Sequence, residues 1–144
     1  MAAFTLTVAV RAGTAELPLE RYATVTVEPA KTSIYVGSVT LTTPGFTREG
    51  VTYSANYTAK VFPYFFYNEK GRIWIDVPDA DLRRLERGET VNFTGHARSD
   101  DGDERRVEGR AEPTGASTGK IKVRIFVSKR IELIFNTTYR FPKA

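Results

Sequence analysis

The chain has 144 residues, a formal net charge of +4, one histidine and no cysteine. The lack of cysteine excludes disulfides, thiol nucleophiles and thiolate metal sites, and a single histidine excludes zinc sites built on a histidine pair. Val, Ile, Thr, Tyr, Phe and Trp, which favour strands, account for 55 residues. No apolar run approaches the roughly 20 residues of a membrane-spanning helix, so no transmembrane segment is predicted.

The first residues allow two interpretations. Apolar residues alternate with smaller or polar ones from Phe4 to Val10, which predicts a strand. Residues 1–15 also have the apolar character of a secretory signal remnant, with small residues at Gly13-Thr14-Ala15 that would suit cleavage. Such a signal needs a basic start that is missing here, so we favour the strand and keep the signal remnant as the alternative.

Period-2 alternation continues through the middle of the chain and is typical of half-buried strands. It predicts strands at 22–27, 33–41 and 51–61. The last of these is the clearest, because Tyr53 and Tyr57 share one face with other apolar residues while polar residues occupy the opposite face. Such a strand has one dry side and one side that faces water or a partner.

The next segment predicts a hairpin. Pro63 interrupts the apolar run, so the chain must bend or lie at a sheet edge there. Tyr64–Tyr67 then leads to Asn68–Gly71, which has the composition of a turn, and Arg72–Val77 returns as a strand.

A short helix is predicted at 79–87. Asp79 could cap its first turn, Leu82 and Leu85 fall on one side, and Gly88 could supply the left-handed residue that ends it. This helix is too short to form a second layer.

The second half of the chain predicts two further hairpins. Strands at 91–98 and 105–112 flank the first turn, and the last two strands flank Ser128–Arg130. A three-residue loop there keeps the inward faces matched, because a one-residue slip would exchange them. The predicted register places Phe126 opposite Glu132 and Lys122 opposite Asn136.

These elements predict a single domain over residues 1–144. Eight or nine short strands, one short helix near 79–87 and no βαβ pattern are typical of an all-β antiparallel sandwich or barrel. The sequence pattern leaves these two architectures open.

His96 is the only residue around which a hydrolase triad could form, with Ser or Thr as nucleophile. It lies in an alternating segment, opposite Arg106 and Glu108 of the predicted hairpin, as expected of a solvated strand residue. The acidic tip Asp100–Glu104 lacks the spacing of an EF-hand and has the composition of a solvated turn. We therefore predict no catalytic residue, no metal and no cofactor, and we predict that the protein is not an enzyme.

Five aromatic residues fall within the six residues from Phe62 to Tyr67, and Trp74 lies on the predicted returning strand. Alternation buries only every second residue, so either both faces of this segment are covered or some rings are exposed. Packing in the core or in a subunit interface is one interpretation, and exposed rings that stack on a ligand are the other. The predicted ligand-binding residues are Tyr64, Phe66, Tyr67 and Trp74.

Basic residues are frequent on the outward face of the predicted strands between residues 91 and 127. The predicted basic face consists of Arg98, Arg106, Arg110, Lys122 and Arg124. Such a face can hold nucleic acid or anionic lipid through the release of counterions. Acidic residues dilute its charge, and Phe126 alone places a ring among the cations. This pattern favours a solvated face with opposite-charge pairs and argues against nucleic acid as the partner.

The sequence therefore favours a small, non-catalytic β module that binds a ligand or a protein partner. A small β-barrel that carries an apolar ligand is the alternative, and a hydrolase that uses His96 is the third hypothesis. Exposed strand edges favour a homodimer. The Thr-rich strands, the lack of cysteine and the signal-like start favour an extracytoplasmic location, periplasmic or secreted, over a cytoplasmic one.

Overall fold

A computed structural model describes residues 18–34 and 36–142 of the chain. Strands account for 60% of this part. Its ten strands are β1 (Thr24–Val27), β2 (Ala30–Ile34), β3 (Gly37–Thr42), β4 (Phe46–Glu49), β5 (Thr52–Phe62), β6 (Glu69–Asp76), β7 (Val91–Ser99), β8 (Glu104–Pro113), β9 (Thr118–Phe126) and β10 (Glu132–Arg140). The described residues contain one α-helix, α1 (Asp79–Glu86), and two short 3-10 helices, Leu19–Tyr22 and Phe65–Tyr67.

Eight strands form a closed antiparallel barrel in the order β5-β4-β1-β10-β9-β8-β7-β6, which the pairing of β6 with β5 closes. The β2–β3 hairpin adds to the same edge of β5 beyond the end of β4. The predicted all-β antiparallel fold is confirmed, and of its two architectures the structure adopts the barrel. The β2–β3 hairpin brings the number of strands in the described residues to ten, above the eight or nine predicted.

The barrel interior is filled by the inward-facing residues of these alternating strands. On β5, Tyr53, Ala55 and Tyr57 are buried, and on β7 Val91 and Phe93 are buried. The residues between them face outward and are largely polar. The faces that period-2 alternation predicts for these two strands are therefore confirmed.

The helix α1 and the 113–118 loop lie at one end of the barrel, which we call the helix end. The predicted helix is confirmed, Leu82 has no exposed surface, and Gly88 has the left-handed φ of +81° that ends it. The prediction that Asp79 caps the helix is wrong. The capping position is Pro78, and the Asp79 carboxylate instead accepts a hydrogen bond from Nη2 of Arg48 at 2.8 Å.

The register of the last hairpin is as predicted. Phe126 lies opposite Glu132 and Lys122 opposite Asn136. The backbone N–H of Val127 donates to the carbonyl of Ile131 at 2.9 Å, which closes the three-residue loop. Matching of the two inward faces was therefore sufficient to predict this pairing.

Two predicted segments differ from the structure. The strand predicted at 33–41 is divided between β2 and β3, which pair with each other as a hairpin. The turn predicted at Asn68–Gly71 is wrong, because β6 begins at Glu69 and Gly71 lies opposite Tyr57 in the sheet. Gly71 is explained by close packing rather than by a turn, since a Cβ there would lie 2.1 Å from the carbonyl oxygen of Arg98.

The strand predicted from Phe4 to Val10 and the alternative signal remnant at 1–15 lie outside the described residues. The prediction of a single domain over 1–144 stays a prediction.

Candidate functional site

The connection between β5 and β6 is an aromatic loop, residues 62–67, at the barrel end opposite α1. Four of its rings are strongly exposed, with exposed fractions of 73% for Phe62, 74% for Phe65, 68% for Phe66 and 67% for Tyr67. The rings contact one another, and the centroids of Phe66 and Tyr67 are 4.7 Å apart. The loop therefore presents a cluster of rings to its surroundings instead of burying them.

The backbone of this loop is held by its own hydrogen bonds. The N–H of Tyr67 donates to the carbonyl of Tyr64, and the N–H of Asn68 donates to the carbonyl of Phe65, both at 3.0 Å. The side chain of Asn68 accepts a hydrogen bond from the N–H of Val61 at 2.7 Å. Because these bonds close the loop on itself, the rings are left on its outer side.

A polar network lies beneath the loop and ties its base to neighbouring strands. The Glu69 carboxylate accepts hydrogen bonds from the Tyr57 hydroxyl at 2.5 Å and from Arg105 at 2.8 Å. Arg105 also donates to the carbonyl of Val127 at 3.2 Å. The hydrogen bond with Glu69 raises the pKa of Arg105, and burial, reinforced by Glu69, raises the pKa of Tyr57. This network fixes the position at which β6 leaves the loop.

The other connections at this end of the barrel are the β2–β3, β7–β8 and β9–β10 turns, and together with the aromatic loop we call them the loop end. Val36 in the β2–β3 turn and Ile131 in the β9–β10 turn are both more than half exposed. The β2–β3 turn lies against the aromatic loop, since a Cβ on Gly37 would lie 2.0 Å from the carbonyl oxygen of Phe62. Exposed apolar residues therefore extend from the loop to the β2–β3 turn, and Ile131 is a separate exposed apolar residue at the same end.

Exposed lysines surround the base of the aromatic loop. Lys60 precedes Phe62 by two residues, Lys70 begins the outward face of β6, and Lys31 lies in the same cross-strand row as Lys60, with Thr40 between them. None of these three ammonium groups forms an ion pair with another described residue. Their positive charge is therefore available to a partner.

Trp74 does not join the other predicted ligand-binding residues. Tyr64, Phe66 and Tyr67 belong to the loop, whereas Trp74 lies on the outer face of β6, about 17 Å along the strand from its first residue. Its ring stacks on His96 with a centroid distance of 4.7 Å and an interplanar angle of 19°. The predicted aromatic site is thus divided into two separate surfaces.

His96 occupies a cross-strand row of planar side chains on the barrel wall. The row continues from Trp74 and His96 to Arg106 and Phe126, and the Arg106 guanidinium lies over the Phe126 ring at 4.1 Å from its centroid. Cation–π and stacking contacts of this kind stabilise neighbouring strands. One face of the Trp74 ring is therefore covered by His96, and one face of the Phe126 ring is covered by Arg106.

The residues of the predicted basic face lie on the barrel wall, but most of their positive charge is neutralised by glutamates. Its four arginines each pair with a glutamate at 3.2–3.7 Å, the pairs being Arg98–Glu104, Arg106–Glu108, Arg110–Glu112 and Arg124–Glu132. Of the five predicted cations, Lys122 alone has no ion pair with a described residue. The four arginines of the basic face are therefore neutralised by glutamates, whereas Lys31, Lys60 and Lys70 near the aromatic rings have no such partner among the described residues.

A cavity of about 100 Å³ lies inside the barrel. Its lining is almost entirely apolar and includes Val25, Leu41, Ile73, Phe93 and Ala111. Several of these residues are only partly buried, which places the cavity close to the surface on the side of β1 and β3.

Sequence reasoning did not include Phe62, Phe65 and the loop lysines among the site residues. The density of aromatic residues between Phe62 and Tyr67 was the available signal, because so many rings in succession exceed what one strand face can bury. The lysines gave no comparable signal, since their grouping depends on pairing between β2, β3 and β5.

No helix of the described residues is long and apolar enough to cross a membrane. No protein-family model, curated protein or solved structure matches this chain.

Proposed function

We propose that this chain is a non-catalytic binding module that engages its ligand or partner through the aromatic loop. The observation that carries this proposal is the exposure of Phe62, Phe65, Phe66 and Tyr67, each of which leaves about two thirds or more of its surface in water. Large exposed apolar patches on a folded protein mark sites of contact with other molecules. The loop backbone is hydrogen-bonded in place, so the rings are preorganised for such contact.

Carriage of an apolar ligand inside the barrel is the second candidate, and the apolar cavity favours it. Its volume of about 100 Å³ is well below the roughly 300–1,000 Å³ of pockets that hold drug-sized ligands. An apolar cavity of about 150 Å³ binds a molecule the size of benzene. The carrier hypothesis is therefore restricted to very small apolar molecules.

Two probes separate these candidates. Anilinonaphthalene sulfonate, which is too large for the cavity, reports on the exposed rings by fluorescence, and toluene reports on the cavity by a rise in Tm. The double variant Phe65→Ser/Phe66→Ser should lose most of the dye binding and keep the response to toluene. Ala111→Leu, which fills the cavity, should keep the dye binding and lose the response to toluene.

Val51→Ser is the matched control, because Val51 is exposed but lies near the helix end. Dye binding that survives the double loop variant would contradict the proposed site. Dye binding that is lost in Ala111→Leu and kept in the double loop variant would support the carrier function instead.

Three further hypotheses concern the location, the oligomeric state and the hydrolase alternative. We propose a location outside the cytoplasm, in the periplasm or secreted space, on the basis of the composition described above. A homodimer through the loop end is an arrangement that would cover the exposed rings. The hydrolase hypothesis has the weakest support, because His96 stacks on Trp74 and lies opposite Arg106.

A further inference from the structure

We propose that the loop end docks onto an anionic membrane surface, with the aromatic rings in the interfacial layer and the neighbouring lysines against lipid headgroups. This inference rests on the proposed function, since it uses the same loop and names its partner.

The apolar part of this surface has the composition of an interfacial anchor. Phe65, Phe66 and Tyr67 project from a single closed turn, and Val36 extends the apolar surface on one side. Aromatic side chains are enriched at the membrane–water interface, where an apolar ring and a polar tip can each be accommodated. A protruding loop of this kind can enter the interface without any change in the barrel.

The charged part of the surface is complementary to anionic headgroups. Lys31, Lys60 and Lys70 have no ion pair with a described residue, whereas the four arginines of the basic face are all paired with glutamates. Lys129 and Arg130 add two further cations in the β9–β10 turn at the same end. Lysine stems can lie along apolar surface while their ammonium groups reach the headgroups.

The acidic β7–β8 tip sets the orientation of this surface. Arg98 lies 3.7 Å from Glu104, and Arg105, which already pairs with Glu69, lies 3.8 Å from Asp103. The tip therefore stays acidic, and Asp100 and Asp101 have no ion pair with a described residue. Repulsion between these two carboxylates and anionic lipid would tilt the barrel. The β2–β3 turn and the aromatic loop then face the membrane, and the β7–β8 tip faces away from it.

Vesicle co-sedimentation tests the inference. The probes are vesicles of phosphatidylcholine alone and of phosphatidylcholine mixed with phosphatidylserine in a two-to-one ratio. We expect binding to the phosphatidylserine vesicles that weakens as salt is raised. Phe65→Ser/Phe66→Ser should reduce this binding roughly tenfold or more, and Lys60→Gln/Lys70→Gln should reduce it about fivefold for each lysine.

Matched controls distinguish the loop end from the rest of the surface. Lys120→Gln/Lys122→Gln removes the same charge from β9, and Val51→Ser removes an exposed apolar residue near the opposite end of the barrel. Both should leave vesicle binding within about twofold of the parent. An equal loss in Lys120→Gln/Lys122→Gln would overturn the inference, because binding would then follow net charge and not the loop end.

Trp74 provides an independent measurement. It lies on the barrel wall, so its emission should not change when the parent protein meets vesicles, whereas a Phe66→Trp variant should show an additional blue-shifted emission. A blue shift in the parent of the same size would show that the wall, and not the loop end, contacts lipid.

Failure of the inference can be separated from failure of the proposed function. If dye binding requires the loop but phosphatidylserine vesicles do not bind at low salt, the membrane inference is wrong and the loop remains a site for another partner. If analytical ultracentrifugation shows a dimer that Phe65→Ser/Phe66→Ser abolishes, and vesicles do not dissociate it, a second copy occupies the surface and the inference is overturned.

Discussion

The helix end and the exposed surface of the aromatic loop differ in how they hold apolar and charged side chains. At the helix end Leu82 is completely buried, and the Arg48 side chain, only 8% exposed, donates to the carbonyl of Val77 and to Asp79. At the loop end Phe65 and Phe66 are about 70% exposed and neighbouring lysines are unpaired among the described residues.

This difference suggests that one end of the barrel stabilises the fold while the aromatic loop serves contact with other molecules. Residues at the helix end contribute to the folded state through burial and internal hydrogen bonds. Residues of the aromatic loop contribute little to the core. They leave apolar surface exposed to water, and this exposed surface is the basis of the proposed binding function. Substitutions at the two ends should therefore have different consequences, and the following predictions test that separation.

The largest loss of stability is expected at Leu82. Replacement of Leu82 with Ala should lower the free energy of unfolding by about 3 kcal/mol, because it removes buried methyl groups and leaves a space that the helix can only partly fill. Urea unfolding monitored by circular dichroism measures this change. A loss below about 1 kcal/mol would mean that α1 contributes little to the closure of the barrel.

A smaller loss is expected at Arg48. Arg48→Ala removes the donors to Val77 and Asp79, at 2.7 and 2.8 Å, and should cost about 2 kcal/mol. Arg98→Ala is the control from the loop end, since the side chains of Arg98 and Glu104 are both about 60% exposed. That exposed pair should contribute no more than about 0.5 kcal/mol, so equal losses in the two variants would contradict the comparison.

The barrel should also lose stability in alkali. Burial raises the pKa of both Tyr22 and Tyr139 to about 12, and it raises the pKa of Tyr53 and Tyr57 further. Unfolded tyrosine ionises near pH 10, so the stabilisation is complete below that pH and is lost as the pH rises through the folded-state values.

The expected result is a Tm that falls by several degrees between about pH 10 and pH 12. Tyr139→Phe should make this fall shallower, because it removes one of the tyrosines whose ionisation favours unfolding and whose raised pKa arises from burial alone. Differential scanning calorimetry across this pH range provides the measurement. An unchanged slope in the variant would argue against a buried Tyr139 hydroxyl.

The smallest effect on stability is expected in the aromatic loop. Phe66→Ala should change the free energy of unfolding by less than about 0.5 kcal/mol, because the ring is 68% exposed. The same urea measurement used for Leu82 applies. A loss of more than about 1 kcal/mol would indicate that the ring packs against the barrel and would remove the distinction between the two ends.

Local pattern was enough to predict much of the barrel wall. Tyr53, Ala55 and Tyr57 face inward as alternation required, and matched faces predicted the pairing of Phe126 with Glu132. Local composition was misleading at Asn68–Gly71, where turn-forming residues belong to a strand. There the glycine is required by the approach of the Arg98 carbonyl, which belongs to a strand that lies later in the chain.

The candidate site was predictable only in part. Tyr64, Phe66 and Tyr67 were identified by the density of rings, but Trp74 was grouped with them because it follows closely along the chain. In the structure Tyr64, Phe66 and Tyr67 lie in the loop, whereas Trp74 lies well along β6, where cross-strand pairing places it beside His96. The distance along the sequence could not reveal which strand would lie next to β6 on the outer wall.

The sequence by itself determined the strand content, the inward and outward faces and the short helix, because these depend on the period of apolar residues and on local backbone preferences. Only the tertiary structure decided that β5 pairs with β6 to close a barrel, that the wall arginines are neutralised by glutamates, and that unpaired lysines surround the aromatic loop. Alternation specifies which face of a strand is buried, whereas the neighbours of that strand follow from the packing of the whole sheet.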